Sequence, residues 1–428
     1  MSLKSFLLND HKVERNSFVW NSVSTGLFAL QSMLMTIVTQ NKLGEADTGV
    51  LAIGSAQAFL LGCVGTFGVS RFQASDVGRR FSFVQYVTAR VVTVGAMWLI
   101  AGGFLTWQWA RGAYDGFKIG IIALMVGLKT VDVVEDVVLS YFQQHKRLDI
   151  GSRACTVRYA ITMCVFTGAV FLLGNLTWAL VATLIVAVIV FLGLAWLILH
   201  GFVTEEDRGS SNSIFRLFRE CGPMFVAWAL TVYVNNAPRY AIDQASTSVV
   251  QAQYTFLATP VFAISLVATF MFNPMIARLA TLWQERDVAG FNRIALRLLV
   301  LITGVGIVCV AAGYFIGLPI LSWIFQVDLS GYLHEFMALL VAGFLVAVTG
   351  LLSTLLTVIR HQSFMAWGYA GVSALSLVFA ARWVRAQGLM GASLLYLCLT
   401  GALTLIFGAG LIAYLVRARK LSSPPLSS

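Results

Sequence analysis

Charged residues make up only 11% of this 428-residue chain, well short of the share a soluble domain carries. Cysteine is equally sparse: Cys63, Cys155, Cys164, Cys221, Cys309 and Cys398 are scattered, with no close pairing and no histidine cluster beside them. That pattern suggests neither a metal site nor a disulfide framework, and no cofactor is expected. There is no phosphate-binding loop of the GxxxxGK type, no nucleophile elbow and no sizeable soluble stretch, so an enzyme acting on a covalent bond is not expected. Proline is absent from the first half, since all seven prolines lie at or after Pro223. What remains is apolar: 58% hydrophobic residues and a mean hydropathy of +0.82.

Apolar runs of about 20 residues, enough to cross a bilayer, recur from end to end. Twelve are read, at 17 to 39, 49 to 70, 88 to 110, 117 to 141, 154 to 173, 177 to 199, 223 to 240, 253 to 276, 296 to 318, 336 to 359, 364 to 384 and 389 to 416. The fold class expected is an all-α polytopic membrane protein with about twelve transmembrane helices in two six-helix bundles around a central cavity. Asp10, His11, Lys12, Glu14 and Arg15 lead directly into the first run, so no cleaved signal peptide is predicted. With the amino terminus inside, 19 of the 29 basic residues fall in inner loops and 5 in outer ones. The positive-inside rule then predicts both termini in the cytoplasm of a plasma membrane protein. The net charge of +10 reads as this topology signal, and no nucleic-acid partner is expected.

The polar stretch TEEDRGSSNS at 204 to 213 divides the runs six and six. The expected organisation is an amino-terminal bundle at 1–203, a cytoplasmic linker at 204–222, a carboxyl-terminal bundle at 223–416 and a cytoplasmic tail at 417–428. In the linker, Ile214, Leu217, Phe218 and Cys221 form an apolar face against Arg216, Arg219 and Glu220, which predicts a short interfacial helix. Pro223, Pro238, Pro260 and Pro274 mark the seventh and eighth runs. At Asn235, Asn236, Pro238, Arg239 and Asp243 two readings stand: a bent, polar gate, or a helix that ends at the interface.

The chemistry lies in the ionisable residues placed at membrane depth. Lys129, Asp132 and Asp136 share one face of the fourth run at spacings of three and seven, with Glu135 beside them. Each such group costs about 2.5–3.5 kcal/mol in lipid even on a lenient scale, so the cluster must face protein or water. Ion coupling, pairing with arginines and solvated capping at a helix end are the alternatives for Glu135 and Asp136. Lys129 and Asp132 lie deeper and read as an internal ion pair that exchanges partners. In the first run Asn21, Ser24, Thr25, Phe28, Gln31, Ser32 and Met35 form a polar stripe, fit for lining a cavity or for helix packing.

A basic group completes the set. Arg71, Arg153 and Arg278 sit at inner helix ends, and Arg90 and Arg158 lie about a turn deeper. Arginines there either snorkel to the interface or grip phosphate oxygens bidentately. The deeper pair, Arg90 and Arg158, is the better candidate for the second role.

The segments NKLGEADTGVLAIGSAQAF, GTFGVSRFQASDVGRRFSFVQYVTAR, VEDVVLSYFQQHKRLDIGSRA, NNAPRYAIDQASTSVVQAQYTFLATPVF and FNPMIARLATLW, spread over residues 15 to 300, match by pattern and order rather than by a tight signature. Together they resemble the polysaccharide-exporter branch of the multidrug/oligosaccharidyl-lipid/polysaccharide (MOP) superfamily, the Wzx-like flippases. Arg71 and Asp76, Glu135 and Asp136, and Pro238, Arg239, Tyr240 and Asp243 carry the matching pattern. The resemblance implies a twelve-helix transporter that flips polyprenyl-diphosphate-linked oligosaccharide to the outer leaflet of the bacterial inner membrane for polysaccharide or lipopolysaccharide synthesis. Its partners would be the lipid-linked glycan, membrane lipids and the glycosyltransferases or polymerase of that pathway. The candidate substrate-binding residues are Arg71, Arg90, Arg158 and Arg239, and the candidate ion-coupling or ion-pair residues are Lys129, Asp132, Glu135 and Asp136. The rival reading is an ion-coupled multidrug or small-molecule exporter of the MATE type. The major-facilitator loop motif is only partly met by Asp76, Val77, Gly78, Arg79 and Arg80, and a non-transporting scaffold would leave the buried charges without use.

Overall fold

A computed structural model of the chain describes residues 7, 12–76, 78, 80–200, 202, 213–272 and 275–422, with side chains omitted at 262, 266, 269, 270 and 418–422. Lys4, Arg79, Arg208, Pro274, most of the polar linker, the end of the tail and the side chains of Arg419 and Lys420 lie outside that description. The described residues are nearly all helical and contain no strand.

The elements are α1 (Val13–Leu43), α2 (Glu45–Thr66), a short α3 (Val69–Ser75), α4 (Phe83–Ala110), α5 (Gly116–Gln144), α6 (Leu148–Leu173) and α7 (Leu176–Leu199). They continue as α8 (Ile214–Ala245), α9 (Ser248–Phe272), α10 (Ile276–Gln284), α11 (Val288–Ala312), a π-turn at Gly313–Gly317, α12 (Leu318–Phe325), α13 (Leu333–Val358) and α14 (Gln362–Ser422). α14 is two helices joined at Gly388, whose φ of 56° and ψ of −130° lie outside the helical region and are open to glycine without strain. Eight stretches pass as membrane spans on length and hydropathy, among them Val288–Phe325 as one and Gln362–Arg417 as one. Adding α5, α8 and α9 and counting both arms of α14 gives twelve long helices among the described residues, as expected.

Polar side chains set several starts. Ser82 and Gln85 form a reciprocal capping box at α4, and Asp115, Asn175 and Asp287 accept the N3 amides of α5, α7 and α11.

The chain forms two compact units, Met1–Val232 and Tyr233–Ser428, with α8 continuing from the first into the second. In the first unit α1 packs on α6, α2 on α4 and α5, and α7 on α5 and α6. Apolar clusters seal it, one of which joins Met35, Val50, Ile121, Phe166 and Leu180 from five helices. In the second unit α13 packs against α9, α11 and α14.

Three expectations change. The residues around Ile214 are no separate interfacial helix; they are the first turns of α8. The reason is packing: Leu217 and Cys221 are fully buried against Val69, Phe81, Tyr86, Ala89 and Val137, so the apolar face meets protein instead of lipid. α8 also runs through Pro223 and Pro238 to Ala245, which removes the helix-end reading at Pro238. The second span does not reach residue 70, because Phe67 (φ 44°) and Gly68 (φ 71°) are both left-handed and separate α2 from α3.

Gly68 is required twice over at that break. A Cβ there would lie 3.2 Å from Met224 Cβ and 3.3 Å from the Cys221 carbonyl oxygen, on a backbone that L residues rarely adopt. Gly68→Leu is therefore expected to destabilise the fold by about 1–3 kcal/mol. Thermal unfolding of the purified protein in detergent measures this, and an unchanged melting temperature would contradict it.

Candidate functional site

The break between α2 and α3 leaves the last carbonyls of α2 without intrahelical partners. The Gly65 carbonyl is taken by the Arg90 guanidinium from α4 and by the Thr93 hydroxyl at 2.6 Å. Arg90 also donates to Ser70 Oγ in α3 and stands 4.0 Å from the Asp136 carboxylate. It is 2% exposed. Its donors are thus directed at a helix terminus, where a cation is favoured by the dipole.

Along α5 the charged face meets α6. Arg158, also 2% exposed, donates to Glu135 Oε2 from Nε at 2.9 Å and from Nη2 at 2.6 Å, and to Asp132 Oδ1 at 2.7 Å. The other oxygen of Asp132 lies 3.5 Å from Lys129 Nζ. Lys129 faces two aromatic rings, Phe59 at 4.4 Å and Phe28 at 5.0 Å from their centroids, within cation–π range.

These groups border a cavity of about 300 Å³ in the first unit. Arg71, Lys129, Asp132, Glu135 and Asp136 line it, with Phe28, Phe59, Tyr159, Met224 and Trp228 as its apolar wall. A smaller pocket of about 60 Å³ adjoins it through Phe28, Phe59, Lys129 and Asp132, and adds Gln31, Ser32, Met35, Ser55, Arg158 and Thr162. The polar stripe of α1 therefore faces a cavity at Gln31 and Ser32, whereas Ser24 is buried and bonds back to Asn21 O.

The charges sort into sets. Arg158 and Lys129 balance Asp132 and Glu135, and Arg90 balances Asp136. Arg71 is left over. Its guanidinium stacks 4.1 Å above the Trp228 ring and has no carboxylate at ion-pair distance among the described residues. It is solvent-exposed on the cavity side and within electrostatic reach of Asp136. Counted by formal charge, the four bases exceed the three acids of the site by one.

The structure places seven of the eight candidate residues together. Arg71, Lys129, Asp132, Glu135 and Asp136 line the cavity, Arg158 lines its annex and Arg90 stands behind Asp136. The exception is Arg239, which belongs to the second unit. It donates to Asn236 Oδ1 at 3.3 Å and lies within electrostatic reach of the buried Tyr254 and Tyr396. Arg90 and Arg158, expected as the open phosphate ligands, instead donate to protein oxygens, Arg90 through both terminal nitrogens and Arg158 through Nε and Nη2. Trp228 was not anticipated, since one tryptophan in an apolar helix carries no distinguishing signal. No group of three or more metal-ligating side chains occurs among the described residues.

No family model matches the chain, and no curated protein matches it. Solved structures do. An inward-facing multidrug resistance MATE family transporter of the MOP superfamily superposes with a TM-score of 0.68 at 14% identity, covering 94% of this chain and 100% of its own. A MOP superfamily transporter from Pyrococcus furiosus gives 0.62 at 14% identity over 98% and 99%. The eukaryotic MATE transporter AtDTX14 gives 0.58 at 14% identity over 95% and 98%. The chain has the fold of MOP superfamily transporters.

Removing Arg158 would strand two buried carboxylates. Arg158→Met is expected to cost about 3–5 kcal/mol, and the double variant Arg158→Met/Glu135→Gln to recover part of that loss. Unfolding of the single and double variants in one detergent measures both, and additive losses would refute the pairing.

Proposed function

We propose that the chain is a multi-pass transporter that moves an amphiphile with a phosphorylated head group across a membrane, with lipid-linked oligosaccharide as the substrate class. The observation that carries this reading is Arg71, an exposed guanidinium in the cavity with no carboxylate at ion-pair distance among the described residues. Stacking on Trp228 orients its planar fork without using its N–H donors, which suit phosphate oxygens. The cavity of about 300 Å³ is at the small end of ligand sites, matching a diphosphate and the groups next to it. Sugars would follow into the aqueous space and the prenyl chain would stay in lipid.

The excess of basic residues in alternate loops supports cytoplasmic termini and loading at the Arg71 end from the cytoplasmic leaflet. A bacterial inner membrane and a pathway of glycosyltransferases and a polymerase fit this substrate.

A second reading is favoured by the similar structures named as MATE transporters: an ion-coupled exporter of small molecules in which Asp132 and Glu135 take the coupling ion. Against it, both carboxylates already accept Arg158 at 2.6–2.7 Å, so an incoming cation would have to displace a bound guanidinium. The Pyrococcus furiosus protein is described as having a binding pocket of reversed polarity that suggests a different function, which supports variation of pocket charge within this fold.

In proteoliposomes holding a fluorescent polyprenyl-diphosphate oligosaccharide, Arg71→Ala is expected to slow translocation about tenfold, with Arg71→Lys between it and the parent. Undiminished translocation by Arg71→Ala would remove the assigned role. Cationic-substrate-driven proton or sodium flux that disappears in Asp132→Asn would instead establish the second reading.

A further inference from the structure

Among the bases of the site Lys129 is held in a different way from the arginines. Arg90 and Arg158 are 2% exposed and each hydrogen-bonded to more than one protein oxygen, whereas the Lys129 side chain is 16% exposed and its link to Asp132 is 3.5 Å long. Asp132 keeps a partner without it, because its other oxygen accepts Arg158 at 2.7 Å. Of the three bases paired with acids here, Lys129 is therefore the one whose departure leaves no carboxylate unpaired.

Its surroundings allow movement. The stem runs past Gly62, where a Cβ would come within 2.9 Å of Lys129 Cγ and 3.0 Å of Cε. The missing side chain thus provides a lane for a flexible four-carbon stem. Phe28 and Phe59 steady the ammonium through their ring faces, which carry no charge and leave its attraction for an anion intact. Lys129 borders both the cavity and its annex, and the Cys63 thiol lies within electrostatic reach of Lys129 and Arg71 alike. Two bases, one fixed in direction by Trp228 and one movable, thus face the same space.

We propose that Lys129 exchanges Asp132 for the second phosphate of a diphosphate seated at Arg71, so that the two bases clamp diphosphates and discriminate against monophosphates. The proposal rests on the anionic-head-group reading above and adds to it which head group is preferred and by which residue. Arg158 retains Asp132 and Glu135 during the exchange, so the buried acids stay neutralised while Lys129 shifts.

Calorimetric titration of the full-length protein in detergent with farnesyl diphosphate and farnesyl monophosphate tests this. Lys129→Met is expected to lower diphosphate affinity about tenfold and leave monophosphate affinity unchanged, and Lys129→Arg to restore the preference. Asp132→Asn frees Lys129 from its competitor and is expected to tighten diphosphate binding about threefold. A merely structural Lys129–Asp132 pair would make Lys129→Met and Asp132→Asn weaken both ligands alike, and that result overturns the proposal. Should Lys129→Met not fold, Asp132→Asn decides alone: weaker diphosphate binding overturns the exchange and tighter binding upholds it. Diphosphate binding that needs Arg71 but is untouched in Lys129→Met overturns the clamp and leaves the transport reading standing. If the parent protein binds neither farnesyl ligand, both fall.

Discussion

The bridge from Arg158 to Asp132 and Glu135 is the constraint around which the first unit is arranged. Two carboxylates at membrane depth are tolerable only with a counter-charge supplied by protein, and a guanidinium with several donors can satisfy both at once. That requirement aligns α6 against the charged face of α5. Tyr159 follows directly, its ring 4.4 Å from the Arg158 guanidinium carbon, and becomes part of the cavity wall. Apolar clusters gather around Ile121, Ile122 and Val126 in the turns of α5 that precede the charges. A buried bridge of this kind adds little net stability, but it specifies which faces of α5 and α6 meet.

The break after α2 is the second fixed point, and it depends on charge in the opposite sense. Two successive left-handed residues end α2, and Arg90 takes up the carbonyl that this leaves open. Because Arg90 reaches both Gly65 and Ser70, it ties α2 to α3 across the break. α3 in turn carries Arg71 to the cavity. Just beyond it Asp76 accepts Tyr86 Oη at 2.9 Å and the Phe81 amide at 3.3 Å, closing the loop into α4. One arginine thus holds the backbone so that another can be presented unpaired.

Much of this was legible in the sequence, for a definite reason. Helix number follows from hydropathy, and the cost of intramembrane charge forces Lys129, Asp132, Glu135 and Asp136 toward a polar interior whatever the packing. The roles of the arginines were not legible. Arg90 and Arg158 lie at similar depth in similar apolar contexts, yet one answers a free carbonyl created by Phe67 and Gly68 and the other a pair of acids on a neighbouring helix. Depth made them look like ligand-binding residues, while those bonds depend on positions 25 residues and 23 residues away in the chain. Arg71, a candidate ligand-binding residue, also fits snorkelling by its helix-end position, and Trp228, distant in sequence, is the contact that distinguishes it. The amphipathic stretch at Ile214 misled in a related way, since a face suited to a bilayer surface is equally suited to Val69 and Phe81.

The division of labour among the bases also bears on how a transport cycle could be driven. A carboxylate serves as a coupling site when its charge is uncompensated in one state, so that a proton or metal ion offsets the cost of its burial. Asp132 and Glu135 are compensated by a base whose own charge is permanent. The uncompensated charge in this cavity is positive and belongs to Arg71. On the proposed reading, an arriving anion would neutralise it and its departure would restore it. On that same reading the loaded and empty forms would differ in buried charge without any separate ion, and the direction of net movement would be set by where the anion is made and where it is consumed.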